Sequence, residues 1–217
     1  MGAYNLYIVT GTSRGLGKEF ATLLVNDGQK LISINRGDVD LSRPEALLLY
    51  LNQLKTIIHT GHRDANIVFV NNAATLGPIA PIHNLDELKI IEAINTNLTS
   101  SILLLRFLFS LENRWIYFNI TTGSAQTKNK FLGIYGVTKL AVEEYLKFLG
   151  LEKENTKCCG LYNYDPHIIA TDMNVVLKNN SYFKNEKIEK TTPKSAILAA
   201  EELYDFVKNT KDDKNFS

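Results

Sequence analysis

Tyr135 and Lys139 stand four residues apart in YGVTK, within the helix-period stretch LGIYGVTKLAVEEYLKFLG. On a helix this spacing puts both side chains on one face, a turn apart. A phenol can give a proton to a carbonyl oxygen, but its ordinary pKa is about 10. Work near neutral pH needs that value lowered by about 3, or about 4 kcal/mol. An ammonium about 4 Å away supplies roughly that much at an effective dielectric near 20. The pair therefore reads as a proton donor with its tuning cation. The alternative is two exposed residues that share a helix face.

A second stretch with chemical meaning is TGTSRGLG, Thr10 to Gly17. It follows an apolar strand-like run, NLYIVTG, and opens a helical one. In that setting Gly11 permits a tight turn, Gly15 lets backbone approach a pyrophosphate, and Gly17 lets helix pack on strand. The helix N-terminus then offers N–H groups to phosphate. A plain loop is the alternative. The second strand-like run ends in SINRG, with Asn35 and Arg36 where a carboxylate would prefer NAD. Arg14 and Arg36 instead suit a 2′-phosphate, which favours NADP.

These residues need elements to hold them. Strand-like runs (NLYIVTG, QKLISINR, NIVFVNNA, RWIYFNITT, TKCCGLYNYDP) alternate with helical ones. The helical stretches begin at GLGKEF, at SRPEALLLYLNQL, near Asp86 (reaching to about Leu111), at IYGVTK and at TPKSAILAAEEL. Ser42, Pro44 and Glu45 read as a capping box with proline in the first turn. Such alternation predicts a doubly wound, Rossmann-type parallel α/β sheet with right-handed crossovers. Residues 1–217 are expected to form one nucleotide-binding domain, with a solvated tail, KNTKDDKNFS.

Bulk properties narrow the partners. The chain has 217 residues, 45% hydrophobic, with 24 Lys plus Arg against 23 Asp plus Glu. That balance argues against nucleic acid or an anionic membrane as the main partner. MGAYNLYIVTG has no basic n-region or cleavage pattern, and SILLLRFLFSL, interrupted by Arg106, is too short to span a bilayer. Cys158 and Cys159 are adjacent and read as small hydrophobes in a strand, so neither a disulfide nor a metal site is expected. A cytoplasmic protein is predicted.

Taken in order, TGTSRGLG, NNAA (71–74), NTNLTS (95–100), NITTGSAQ (119–126), YGVTK and PHIIATDM (166–173) resemble the short-chain dehydrogenase/reductase family, most closely its sepiapterin reductase and bacterial benzil reductase branch. The resemblance implies that Tyr135 protonates a carbonyl oxygen as hydride arrives, while Lys139 also holds the nicotinamide ribose. It implies that Asn97 anchors a proton relay toward the lysine; an asparagine near a helix start is otherwise a cap. NADP(H) would then be held by Gly11, Ser13, Arg14, Gly15, Leu16 and Gly17 of the turn, with Arg36, Asp40 and Leu41 toward adenine. Asn72, Ala73 and Ala74 would line the adenine side, Tyr135 and Lys139 the nicotinamide side, and Ile169 and Thr171 would also hold the cofactor. The family also implies a homodimer or homotetramer, built on the helices carrying NTNLTSSILLLRFLF and Tyr135.

The chain departs from that pattern in five places. Thirteen residues before Tyr135, where the family has the serine that orients the carbonyl, stands Thr122; Ser124 follows two later. Thr122 keeps a donor hydroxyl, so it is favoured as the fourth catalytic residue, with Ser124 in the pocket wall or turn. Ala74 and His167 occupy positions where the family usually has glycine. Only Gly37, Asp38 and Val39 separate Arg36 from Asp40, too few for a crossover helix and strand. The expected sheet is therefore 2-1-4-5-6 in family labels, with the third strand a stub at most and the seventh missing or rudimentary. Strand two becomes an edge, with Lys30 and Asn35 as its protection. The expected activity is NADP-dependent reduction of a small ketone or diketone; a non-catalytic dinucleotide-binding relative is the alternative. Substrate identity rests on NVVLKNNSYFKNEKIEKTT, which carries no motif.

Overall fold

The computed structural model describes residues 4–154, 156–182 and 192–212. Strands β1 (Asn5–Thr10), β2 (Lys30–Ile34), β3 (Asn66–Asn71), β4 (Trp115–Ile120) and β5 (Cys158–Tyr164) form one five-stranded sheet ordered β2-β1-β3-β4-β5. All four pairings are parallel, with Leu6 opposite Lys30, Asn5 opposite Asn66, Ile67 opposite Trp115 and Ile120 opposite Tyr164. This is the expected order. No strand lies between residues 37 and 42, where the backbone turns instead. Among the described residues no strand pairs beyond β5, and one isolated parallel bridge joins Ile169 to Lys194.

Alternation along the strands feeds two apolar layers. Leu6, Ile8, Trp115 and Tyr117 face one side and meet α2 (Pro44–Gly61), α4 (Ser100–Phe109) and α6 (Gly133–Glu152) through Leu47, Leu54, Leu104, Leu108 and Leu146. Tyr7, Val9, Ile116 and Phe118 face the other and meet α1 (Gly15–Asn26) and α8 (Ala196–Asp212) through Phe20, Leu24, Leu203 and Val207. Strands buried on both faces read as nearly continuous hydrophobic runs, and these do. The fold is a single-domain, Rossmann-type, doubly wound parallel sheet with a shortened β2–α2 passage.

Three local expectations need correction. Ser42 does not cap α2, because Asp40 Oδ1 takes both its N–H, at 3.0 Å, and its hydroxyl, at 2.8 Å. Arg43 is the N-cap, without a side-chain bond. The single helix expected from Asp86 to Leu111 is interrupted: α3 (Glu87–Ile94) passes through a π turn, Asn95–Thr99, into α4. Asp86 does cap α3, accepting from Lys89 N at 3.0 Å. On the edge strand, Lys30 Nζ sits 4.1 Å from the Tyr4 ring centroid, whereas Asn35 turns inward toward the glycine turn. The four-residue α5 (Ser124–Thr127) and α7 (Asp172–Asn179) complete the set. Among the described residues no helix is long and apolar enough to cross a membrane.

Candidate active site

The sequence-predicted site residues gather mostly at the carboxyl ends of β1, β3, β4 and β5, with exceptions named below. Between β1 and α1, Gly11 has φ 72°, a left-handed conformation suited to glycine. A Cβ on Gly17 would stand 2.2 Å from the Gly11 carbonyl oxygen and 2.4 Å from Asn72 Nδ2, so only glycine fits. Asn72 Nδ2 donates to the carbonyls of Thr10 and Gly11 at 3.1 and 3.0 Å, tying β3 to the turn. Asn35 Oδ1 accepts from Thr12 N at 2.8 Å and Thr12 Oγ1 at 3.1 Å, tying β2 to it as well. The N-cap of α1, Arg14, makes no side-chain cap bond, and the first turn has no acidic residue. That is the donor set a pyrophosphate needs. Ser13 is exposed, Leu16 packs into the core beneath, and Thr171 faces the turn, its methyl 3.2 Å from where a Gly15 Cβ would be.

The two arginines are exposed and paired with acids. Arg14 Nη1 lies 3.3 Å from Asp172 Oδ2 with 76% of its side chain accessible; Arg36 Nε lies 3.8 Å from Asp40 Oδ2 with 82% accessible. Burial raises the Asp40 pKa, but Ser42, Arg36 and Arg43 lower it further, and the net is downward. Leu41 is not on the cleft: it is buried among the residues packing α2 against the sheet. Ala73 abuts Gly11, Ala74 packs beside Leu76, Leu132 and Tyr135, and Ile169 packs against the α1–α8 layer.

At the other end, Tyr135 and Lys139 lie one turn apart on the buried face of α6. Thr122, just past β4, shares a hydrogen bond with the Tyr135 hydroxyl. The Ser124 side chain lies outside the described residues. Lys139 Nζ donates to the Ile120 carbonyl at 2.7 Å. The expected effect of the lysine on the tyrosine is absent. Burial pushes Tyr135 up to about 12, the Thr122 bond works against this, and Asp165 adds to it. Burial lowers Lys139 to about 8, opposed by Glu143. Desolvation therefore outweighs the pair's mutual tuning.

Asn97 is carried inward by the π turn, a feature frequent at functional sites. Its Nδ2 donates to Thr75 O at 2.8 Å and Thr138 Oγ1 at 3.1 Å, and its Oδ1 accepts from Thr75 N at 2.9 Å. It therefore reaches the residue beside Lys139, not the ammonium. Thr121 donates to Glu143, clasping β4 to α6. Four residues that sequence reasoning missed belong here: Thr138, Glu143, Asp165 and Asp172. Glu143 could have been found one turn beyond Lys139; Asp165 gave no signal beyond an acid before proline. Of the segment expected to carry substrate identity, residues 183–191 lie outside the described residues.

The arrangement defines an α/β protein with a glycine turn suited to a pyrophosphate and a tyrosine–lysine–threonine cluster at the same edge of the sheet. No family model matches the chain. It is 27% identical to benzil reductase ((S)-benzoin forming) of Bacillus subtilis (strain 168) over 194 residues, 81% of this chain and 79% of that protein. It is 24% identical to the benzil reductase of Bacillus cereus over 200 residues, covering 80% and 79%. A short chain dehydrogenase from Burkholderia cenocepacia J2315, solved in complex with NADP, has the same fold, with a TM-score of 0.74 at 17% identity over 94% of this chain and 90% of that one. These likenesses support a short-chain dehydrogenase/reductase of the benzil reductase branch. These curated relatives are reductases, and the structural neighbour was solved with NADP.

Proposed function

We infer that this chain is an NADP-dependent carbonyl reductase acting on a small ketone or diketone. The observation that carries the reading is the buried inner end of the cleft, where Thr122 hydrogen-bonds Tyr135 and Lys139 lies one turn on. A bound reduced nicotinamide supplies the hydride. Tyr135, its phenol kept protonated by burial, gives the proton to the carbonyl oxygen. Thr122 donates a second hydrogen bond to that oxygen as charge develops. Lys139 would hold the nicotinamide ribose, and the Asn97–Thr138 bond keeps its turn of α6 in place. Leu76, Leu132, Met173 and Leu177 offer an apolar wall beside Tyr135, suited to a hydrophobic ketone.

Arg14 and Arg36 support NADP over NAD, since both are exposed guanidiniums and no carboxylate stands at residue 35 or 36. Val137, Phe148 and Leu151 of α6 are exposed and apolar, which supports a homodimer or homotetramer through that helix; α4, by contrast, buries Leu104, Leu105, Phe107 and Leu108, and the exposed apolar residues nearby are Leu88 and Ile91 of α3. Two free adjacent thiols, Cys158 and Cys159, support a reducing compartment such as the cytoplasm. The test is consumption of NADPH and of NADH against a panel of aryl and alkyl ketones and 1,2-diketones. Turnover with NADPH is expected. Cofactor binding without turnover of any carbonyl would overturn the reading in favour of a nucleotide-binding protein.

A further inference from the structure

Asp165 follows the last residue of β5 and sits one step across the sheet from the turn that carries Thr122. Tyr164 pairs with Ile120, and Thr121 N donates to Tyr164 O at 2.9 Å. The Asp165 carboxylate is packed against that turn: its Oδ2 would lie 3.3 Å from a Cβ on Gly123, the residue after Thr122. Its charge is felt at the Tyr135 hydroxyl, which it helps keep protonated. A carboxylate thus stands against the residue next to Thr122 and near enough to Tyr135 for its charge to act there.

The two oxygens of Asp165 have different duties. Oδ1 accepts the His167 N–H at 2.8 Å. That bond holds His167 at φ 60°, in the left-handed region where the family usually has glycine. Oδ2 is left with the His167 imidazole, whose Nδ1 is 3.8 Å away and whose side chain is 70% accessible; Asp165 itself is 29% accessible. The distance is too long for a hydrogen bond, so Oδ2 keeps acceptor capacity. A half-buried carboxylate oxygen with acceptor capacity to spare favours a ligand that brings a donor to it and disfavours one that brings an acceptor.

We propose that Asp165 is a specificity-determining residue that selects ketones bearing a hydroxyl or ammonium group next to the reacting carbonyl, whose donor hydrogen Oδ2 accepts. The inference rests on the carbonyl reductase reading and narrows its substrate class: α-hydroxy or α-amino ketones, favoured over ketones, 1,2-diketones among them, whose neighbouring group is only an acceptor.

The experiment compares kcat/KM for 2-hydroxyacetophenone and 2-methoxyacetophenone, which differ in the donor, with NADPH in the wild-type chain and in Asp165→Asn. Asparagine keeps an Oδ1 acceptor for His167 N–H, so the turn survives, while it replaces Oδ2 with a donor. The wild type should favour the hydroxy ketone by about tenfold or more, the size of a lost charged hydrogen bond. Asp165→Asn should bring the ratio to near one or invert it, whatever its effect on the absolute rates. Should Asp165→Asn misfold, His167→Gly with Asp165→Ser relieves the left-handed backbone without the carboxylate and should abolish the preference likewise. An unchanged ratio in the variant, or equal rates on both ketones in the wild type, overturns the inference while leaving the reductase reading intact. No turnover of any ketone by the wild type overturns the reductase reading itself.

Discussion

The two ends of the cleft are built in opposite ways. At the inner end, Tyr135, Thr138, Lys139 and Asn97 are all buried, and their polar atoms are spent on Thr75, Ile120, Thr122 and one another. At the outer end, Ser13, Arg14 and Arg36 are exposed, and the arginines rest on surface carboxylates of Asp172 and Asp40. Burial makes a group's protonation state depend on its immediate neighbours, which proton transfer needs. Exposure keeps a guanidinium free to exchange one anion for another at little cost, because surface pairs are worth about 0–1 kcal/mol. The inner end is thus preorganised, and the outer end is exchangeable.

The largest break in this comparison should come from Tyr135→Phe. It removes one hydroxyl from the inner end and leaves packing intact. Turnover should fall by about 10²–10⁴-fold, the usual contribution of a positioned general acid. NADPH affinity, followed by fluorescence titration, should change by less than about twofold, a spread within ordinary context effects. A loss of less than about tenfold would mean that this hydroxyl is not the proton donor. Next comes Thr122→Ala, expected to cost about 2.7–4 kcal/mol in turnover if its hydroxyl supports the developing oxyanion. Thr122→Ser should restore most of it, and Ser124→Ala should cost much less. The reverse ranking moves the role to Ser124.

Much of this contrast was legible in the chain before any coordinates. The four-residue spacing of Tyr135 and Lys139, the glycine turn and the three residues between Arg36 and Asp40 each carry a hard constraint, and each is met. Where reading failed, contacts between distant segments decided. The π turn at 95–99 has no residue signature of its own; it coincides with Asn97 bonding Thr75 and Thr138. Ser42 looked like a cap until Asp40 competed for it. Leu41 looked like an adenine contact until α2 folded over it. The charge balance at Tyr135 could not be read from spacing, because burial depth and the place of Lys139 on Ile120 are set by the sheet.

The outer end should respond more gently. Arg14→Ala and Arg36→Ala should each weaken NADPH binding by about twofold to fivefold, as expected for exposed charge pairs, and leave NADH binding unchanged. The difference should shrink as salt is raised, since exposed charges are screened over about 10 Å at 0.1 M. Equal losses for both cofactors would show that the arginines steer dinucleotides in general and do not read a 2′-phosphate.

The smallest effect sharpens the inner end. Lys139 is held near a pKa of about 8 because burial lowers it and Glu143, a turn further along α6, raises it. The nearby titratable groups are Glu143 and Tyr135 on α6 and, acting on Tyr135, Asp165 from the loop after β5. As pH rises through about 8 the ammonium is lost, so kcat/KM for the cofactor should begin to fall there, while Tyr135, up at about 12, stays protonated. Glu143→Gln keeps an acceptor for Thr121 and removes the charge. The alkaline limb should then move to lower pH by less than about one pH unit, since Glu143 is only half-buried. Stability runs the other way. A lysine whose folded pKa lies below its unfolded value of 10.5 penalises the fold most below about 8 and releases that penalty as pH climbs toward 10.5. Between about pH 8 and 9, activity should therefore fall while this lysine's contribution to thermal stability grows. A limb that stays in place in Glu143→Gln would assign the alkaline loss to a group other than Lys139.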